Sequence, residues 1–336
     1  MKNYYYFLIF FFCFSADIQA QRIQILQQDT ASSIRGLSVV DDQVAWISGS
    51  KGHVAISING GKTWKWQQVK GFEQSDFRDI EAFSAQEVII MSSGTPALIL
   101  KTIDAGANWK VVYRNDDKAY FLDAMDFTDA KNGYVLGDPM NQKFLLLETH
   151  DYGEHWNMMS DLPNALPNEA AFAASGTCLR IYHGRIQIVT GGSVARLISQ
   201  SLNERDWKTL KIPVKQGGQS QGAFSISGNE HLIIVGGDYV KNKESDSTAA
   251  FLKVPTLNPQ FKISKSGSPG FQSCVAYLDH QNYLATGTSG SNITTDDGAT
   301  WKLISSDSFN VCGKAKHGKL ILLAGDKGKI AEFTNH

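Results

Sequence analysis

At 336 residues, with 42% hydrophobic side chains and 32 basic against 33 acidic groups, the chain has ordinary soluble composition, enough for one large or two medium domains. A net charge of −1 offers no electrostatic basis for a nucleic-acid or anionic-membrane partner.

In chain order, the first predicted element is not part of the fold. Residues 1–20, "MKNYYYFLIFFFCFSADIQA", carry one Lys, an apolar run from Tyr4 to Phe14, and Ala20 before Gln21. This is a secretory signal layout too short to serve as a spanning anchor, and "FFFC" lacks the small residues a lipobox places before its Cys. Cleavage after Ala20 and export to the periplasm or beyond are expected, with one domain from 21 to 336. Three cysteines remain, Cys178, Cys274 and Cys312, too few and too odd in number for a disulfide-built fold, although export permits one bridge. No later apolar stretch is long enough to insert in a membrane, and a monomer is expected.

From residue 34 the chain repeats itself. "SINGGKTWKWQ" at 57, "TIDAGANWKVV" at 102, "THDYGEHWNMM" at 149 and "TTDDGATWKLI" at 294 share Ser/Thr-x-Asp/Asn-x-Gly-x-x-Trp. Five tryptophans, Trp64, Trp109, Trp156, Trp207 and Trp301, close a copy, intact or worn, at gaps of 45, 47, 51 and 94. The last gap is twice 47, so one repeat around "STAAFLKVPTLNPQF" has lost its Trp. A period in the mid-forties with no long helical pattern suits four-stranded propeller blades. Each repeat opens on an alternating strand ("IRGLSVV", "FRDIEAF"). A second strand then ends in a Gly-bearing turn, in seven copies: "AWISGSKG", "VIIMSSGTP", "GYVLGDPM", "IQIVTGG", "LIIVGGDY", "YLATGTSG" and "LILLAGDKG". A third strand leads into the Trp motif and a short fourth follows it. The last repeat stops after three strands, and "RIQILQQD", residues 22–29, is free to pair with "KIAEF" and close the ring. The fold class predicted is all-β, a seven-bladed β-propeller closed by its N-terminal strand.

The repeated motif resembles the Asp-box, or bacterial neuraminidase repeat. Its acid or amide (Asn59, Asp104, Asp151, Asp296) can accept turn N–H groups, its Gly (Gly61, Gly106, Gly153, Gly298) permits positive φ, and its Trp (Trp64, Trp109, Trp156, Trp301) fills space between sheets. Single acids in separate blades cannot build a calcium cage, so a structural role and no metal are expected. The intervening text, "IRGLSVV…VAWISGSKG", "DFRDIEAF", "FLDAMDF…GYVLGDP", "NEAAFAASGT", "TGGSVAR" and "VGGDY", is similar over nearly the whole mature chain to secreted bacterial propellers grouped with photosystem II stability/assembly factors. That resemblance implies a non-catalytic binding or assembly module, with the boxes on the rim away from the ligand face. Nothing indicates a photosynthetic host, so the photosystem partner is not implied.

The opposite face is then the candidate site. Residues near the starts of inner strands are Arg35, Arg78, Asp79, Glu169, Gln221, Gln272 and Asn310. The Gly-bearing turns add Lys51, Asp138, Asp238, Tyr239 and Asp326, with Arg196 just beyond. The expected partner-binding set is Arg35, Arg78, Asp79, Asp138, Glu169, Arg196, Asp238 and Tyr239, taking a protein or glycan, with no cofactor. A purely structural envelope scaffold, its mouth charges a mutual salt-bridge network, is the second alternative. The first is a sialidase-like hydrolase, since three arginines, a Tyr–Glu pair and an acid are all present. "IRGL" and "FRDI" are, however, the nearest strings to that family's Phe-Arg-Ile-Pro, and catalytic sialidase propellers have six blades. Histidines lack metal spacing, and the Gly-rich turns precede strands, not phosphate-cradling helices. No G-x-G-x-x-G strand–helix unit or G-x-S-x-G elbow is present. Ser273 beside Cys274 reads as strand packing.

Overall fold

The computed structural model describes residues 21–228, 231–253, 258–268 and 270–335. The expected signal segment, 1–20, lies outside them. Their strands form seven antiparallel sheets. Blade 1 is Ile34–Val39, Ala45–Gly49, His53–Ser57 and Lys65–Gln68; blade 2 is Asp76–Ala82, Val88–Ser93, Ala97–Thr102 and Lys110–Asn115. Blade 3 is Leu122–Phe127, Gly133–Met140, Lys143–Thr149 and Asn157–Met158; blade 4 is Leu179–Tyr182, Arg185–Val189, Arg196–Ser201 and Lys208–Lys211. Blade 5 is Gly218–Gly228, His231–Asp238, Ala249–Lys253 and Lys262–Ile263; blade 6 is Cys274–Asp279, Asn282–Gly287, Gly290–Thr294 and Lys302–Ser305. Blade 7 takes Val311–Lys314, Ile321–Ala324 and Ile330–Thr334 from the C-terminus and Arg22–Gln27 from the N-terminus as its outer strand. The closure is antiparallel, with Arg22 opposite Thr334 and Ile23 opposite Phe333. The chain is therefore the seven-bladed propeller expected, closed as expected.

Apolar faces meet between blades, so the core is a ring of interfaces. Ile34, Ile47 and Ala55 of blade 1 pack with Val311, Leu323, Ala331 and Phe333 of blade 7 and with Leu284 and Ile293 of blade 6 in one cluster. Burial of that kind, not the strand ladder alone, holds the closure.

The Asp-boxes join third to fourth strands. In blade 2 the Thr102 hydroxyl donates to Asp104 Oδ1 at 2.8 Å and accepts the Gly106 N–H at 3.0 Å, while Asp104 Oδ1 accepts the Asn108 N–H at 2.9 Å. The other three copies repeat these bonds. At Gly153, with φ +74°, an added Cβ would also lie 2.3 Å from Ile89 of blade 2, so the glycine serves the turn and the blade interface together. In blade 5, where the Trp is missing, Phe261 occupies the position before the fourth strand and is buried in the core shared by blades 3, 4 and 5.

Glu169 does not stand near the start of blade 4's inner strand, which is Leu179–Tyr182. Glu169–Ala170 instead pairs with Gly191–Gly192, which pairs in turn with the start of blade 5's first strand. Residues 171–178 then leave the rim and cross the channel. The Ala173 carbonyl accepts from Arg78 of blade 2, and the Ala174 carbonyl from Arg35 of blade 1, both at 3.3 Å. Ser175 donates to the Ser273 carbonyl before blade 6 at 2.7 Å, and Thr177 to Ser225 of blade 5 at 2.6 Å. A segment leading into blade 4 that touches blades 1, 2, 5 and 6 must span the axis. Apart from Phe172, its side chains are small, which lets it fit there.

Candidate binding site at the channel mouth

The crossing segment divides the channel. On the face of the Gly-bearing turns lies a basin of about 490 Å³ with Ala170–Ala174 among its lining residues. On the Asp-box face lies a second, of about 340 Å³, whose lining includes Ser175, Gly176 and Thr177.

The mouth basin is built by a repeated backbone device. The register between first and second strands slips at Ile34/Gly36, Phe77/Asp79, Leu122/Ala124 and Ala223/Ser225. Each slip leaves one bulged residue: Arg35, Arg78, Asp123 and Phe224. A bulge breaks the alternation and re-aims its side chain, and all four line the basin. Asp138, Tyr239, Asn310 and Asp326 reach it from the turns and connections.

Of the expected set, the basin thus gathers Arg35, Arg78, Asp138 and Tyr239. The other four are engaged elsewhere. Asp79, one residue past its bulge, points away and lines the opposite basin. The Glu169 side chain is fully buried, bound by Arg196 at 2.6 Å, by the Thr190 hydroxyl at 2.6 Å and by the Leu166 N–H at 2.8 Å. Glu169 and Arg196 therefore anchor the strand extension and do not face the basin. Asp238 caps its own turn: burial opposes its charge, but hydrogen bonds from Gln221, Ser220 and the Lys241 and Val240 N–H groups outweigh that and hold it at about 2. Asp123 and Phe224 were not anticipated. The signal was available, since "LDA" and "AFS" stand where "IRG" and "FRD" stand, each one residue beyond the strand's regular alternation.

Chemically, the basin has two sides. Phe172 stacks on Phe224 at 3.9 Å between centroids, Phe271 meets Phe224 edge-on at 4.7 Å, and Tyr239, 49% exposed, stands at their rim. Opposite are the arginines. Arg78 pairs with Asp76 at 2.7 Å. Burial and the neighbouring Arg78 both lower the pKa of Arg35, partly offset by Asp76 and Asp326. Asp326 accepts from Ser33 and, at 3.0 Å, from Asn310. The anions near the arginines are thus Asp76 and Asp326, while Glu169 and Asp79 face elsewhere.

Asp123 has no exposed surface, and neither carboxylate oxygen has a hydrogen-bond partner of good geometry. Burial holds its titration far above the ordinary carboxylate range; Asp138 adds to the rise, while Arg78 and the Ala173 N–H oppose it. Burial raises Asp138 as well, against one N–H from Ala171 at 3.3 Å. Cys178, Cys274 and Cys312 are all buried and unbridged.

Fold and turn motif together define the class: a seven-bladed Asp-box β-propeller. Within it, residues 16–118 match the family described as "Photosynthesis system II assembly factor YCF48", a similarity in line with the resemblance read from the sequence. Among solved structures, "YCF48 bound to D1 peptide" is similar at 14% identity and TM-score 0.66, covering 94% of this chain and 97% of that one. YCF48 from Cyanidioschyzon merolae is similar at 16% and 0.64 (93% and 98% covered), and the Neurospora crassa Pan2 WD40 domain at 12% and 0.61 (94% and 96%). At such identities the likeness carries the fold. No curated protein sequence gives a significant match.

Proposed function

We propose that the chain is an exported, non-catalytic binding module that holds a segment of a partner protein in the mouth basin. One observation carries this reading: four bulges on four blades converge polar and aromatic side chains on one concavity, whose floor is closed by residues 171–174. Convergent polar groups in a concave, partly apolar site are the usual layout of a binding pocket. A similar propeller described as bound to a D1 peptide supports a peptide guest for this architecture over a glycan. The hydrolase reading loses its ground. It needs three arginines on one carboxylate and a Tyr–Glu pair, whereas Arg196 and Glu169 bind each other away from the basin that holds Arg35, Arg78 and Tyr239.

The test is comparative capture from the native envelope. Wild type and Ile103→Asp, altered on the exposed Asp-box rim, are expected to retain the same protein; Tyr239→Asp is expected to lose it with an unchanged Tm. Equal capture by all three would place binding elsewhere. Mutant-sensitive cleavage of a fluorogenic sialoside would refute the non-catalytic claim. N-terminal sequencing of the envelope form should begin at Gln21.

A further inference from the structure

The basin's unused bonding capacity is acidic. Both arginines are occupied: Arg78 by Asp76 and the Ala173 carbonyl, Arg35 by the Ala174 carbonyl and the nearby charge of Asp326. Asp326 is itself satisfied by Ser33 and Asn310. Arg35 and Arg78 thus have Asp76 and Asp326 as their near anions, and among the described residues Asp123 and Asp138 form no ion pair. Asp123 is wholly buried with no hydrogen bond of good geometry to either oxygen, and Asp138 holds a single long bond. A buried carboxyl so poorly partnered is costly and calls for something that supplies a partner. The facing wall of Phe172, Phe224, Phe271 and Tyr239 presents ring faces and edges, which attract a cation and its aliphatic stem alike. An anionic guest would meet two guanidinium groups already bonded and would oppose the ionisation of both acids.

We propose that the mouth basin takes a basic side chain, lysine or arginine, of the partner's segment, seated against the aromatic wall with its charge on Asp138 and Asp123 beneath. This rests on the mouth being the binding face and adds the chemistry of what it selects. A guest cation favours the ionised form of the two acids, which burial opposes in the free protein.

The probes are short blocked peptides, Ac-Leu-X-Leu-NH2, with X lysine, arginine, norleucine or glutamate, titrated against the mature chain by calorimetry or NMR shifts. The lysine and arginine peptides should bind about tenfold tighter than norleucine, the scale of one cation–aromatic and ion-pair contact. Asp138→Asn and Asp123→Asn should each erase that preference at a Tm near wild type. The peptide comparison alone decides the matter should either variant fold poorly, since it needs no variant. Norleucine or glutamate binding as tightly as lysine, and lost in Tyr239→Ala, would overturn the basic guest while leaving the mouth as binding face. No binding of any peptide would also overturn it, and the face itself would then be judged by the capture experiment.

Discussion

Asp79 lies beneath Gly176 with its carboxylate bound by the Ile80 N–H at 2.8 Å and the Met125 N–H at 2.7 Å. Burial nevertheless lifts its titration to about 8, against those bonds and the charge of Arg180. A carboxyl raised in the folded state contributes stability that is whole below its ordinary 3.8 and is lost as pH climbs through about 8. Wild-type Tm should therefore fall as pH rises across that window, and Asp79→Asn, always neutral, should flatten the fall. Asp126, raised by burial to about 6, adds to the wild-type slope in the same direction, so the difference between the two curves is the readout. Parallel curves would show that Asp79 does not carry the effect. The bulge at Arg78 turns Asp79 to the other side of the strand, and neither that slip nor the resulting burial shows in the sequence's alternation. The Asp-box residues are legible because their bonds are local. Gly153→Ala should cost more than about 1 kcal/mol, since strain at φ +74° is joined by the clash with Ile89. Gly71→Ala, at φ +84° with open space around it, should cost only the strain. Trp156, 7% exposed and edge-on to Phe127, should cost about 3–5 kcal/mol on truncation to Ala. Chemical denaturation measures all three, and a chelator should leave each midpoint unchanged.

The strands were readable as elements because each blade restates the same turn chemistry. Even the worn fifth repeat keeps its place, with Phe261 filling the Trp position. The crossing segment 171–178 was not readable. Its partners lie on four other blades, and no period or propensity marks a stretch of Ala, Ser and Gly as a channel plug. Gly176 tests its role. With φ +69° and the Asp79 carboxylate 2.3 Å from where a Cβ would stand, Gly176→Ala must displace either the acid or the segment. The Ile80 and Met125 amides, which Asp79 binds, are then expected to exchange hydrogen faster than in wild type, while amides of the outer strands keep their protection. Unchanged exchange at Ile80 and Met125 would mean that the segment does not bear on the channel wall. The bulges lie between these cases. A repeat alignment shows where they fall, but only the register slip reveals that Asp123 and Phe224 join Arg35 and Arg78.

For the whole molecule, stability depends on the ring being closed. The N-terminal strand is largely exposed, yet it covers the edge of Ile330–Thr334, and Leu26 reaches the Asp-box of blade 1 beside Gly61. Removing residues 22–27 should lower the Tm and promote aggregation through the bared edge; an unchanged, monomeric melt would show that blade interfaces alone hold the ring. Closure was legible because the last repeat is one strand short and only one segment was left over. The mouth opposite the Asp-boxes, proposed as the binding face, was legible in outline from the boxes themselves. The basin's composition was not, because it depends on which side chains the bulges turn inward and which salt bridges consume the rest. The most direct measurement is photo-crosslinking in the native envelope with p-benzoylphenylalanine placed at Tyr239 on the mouth or at Ile103 on the Asp-box rim, both exposed. A discrete protein adduct from position 239, absent from position 103, is the predicted result; adducts from 103 with none from 239 would contradict it.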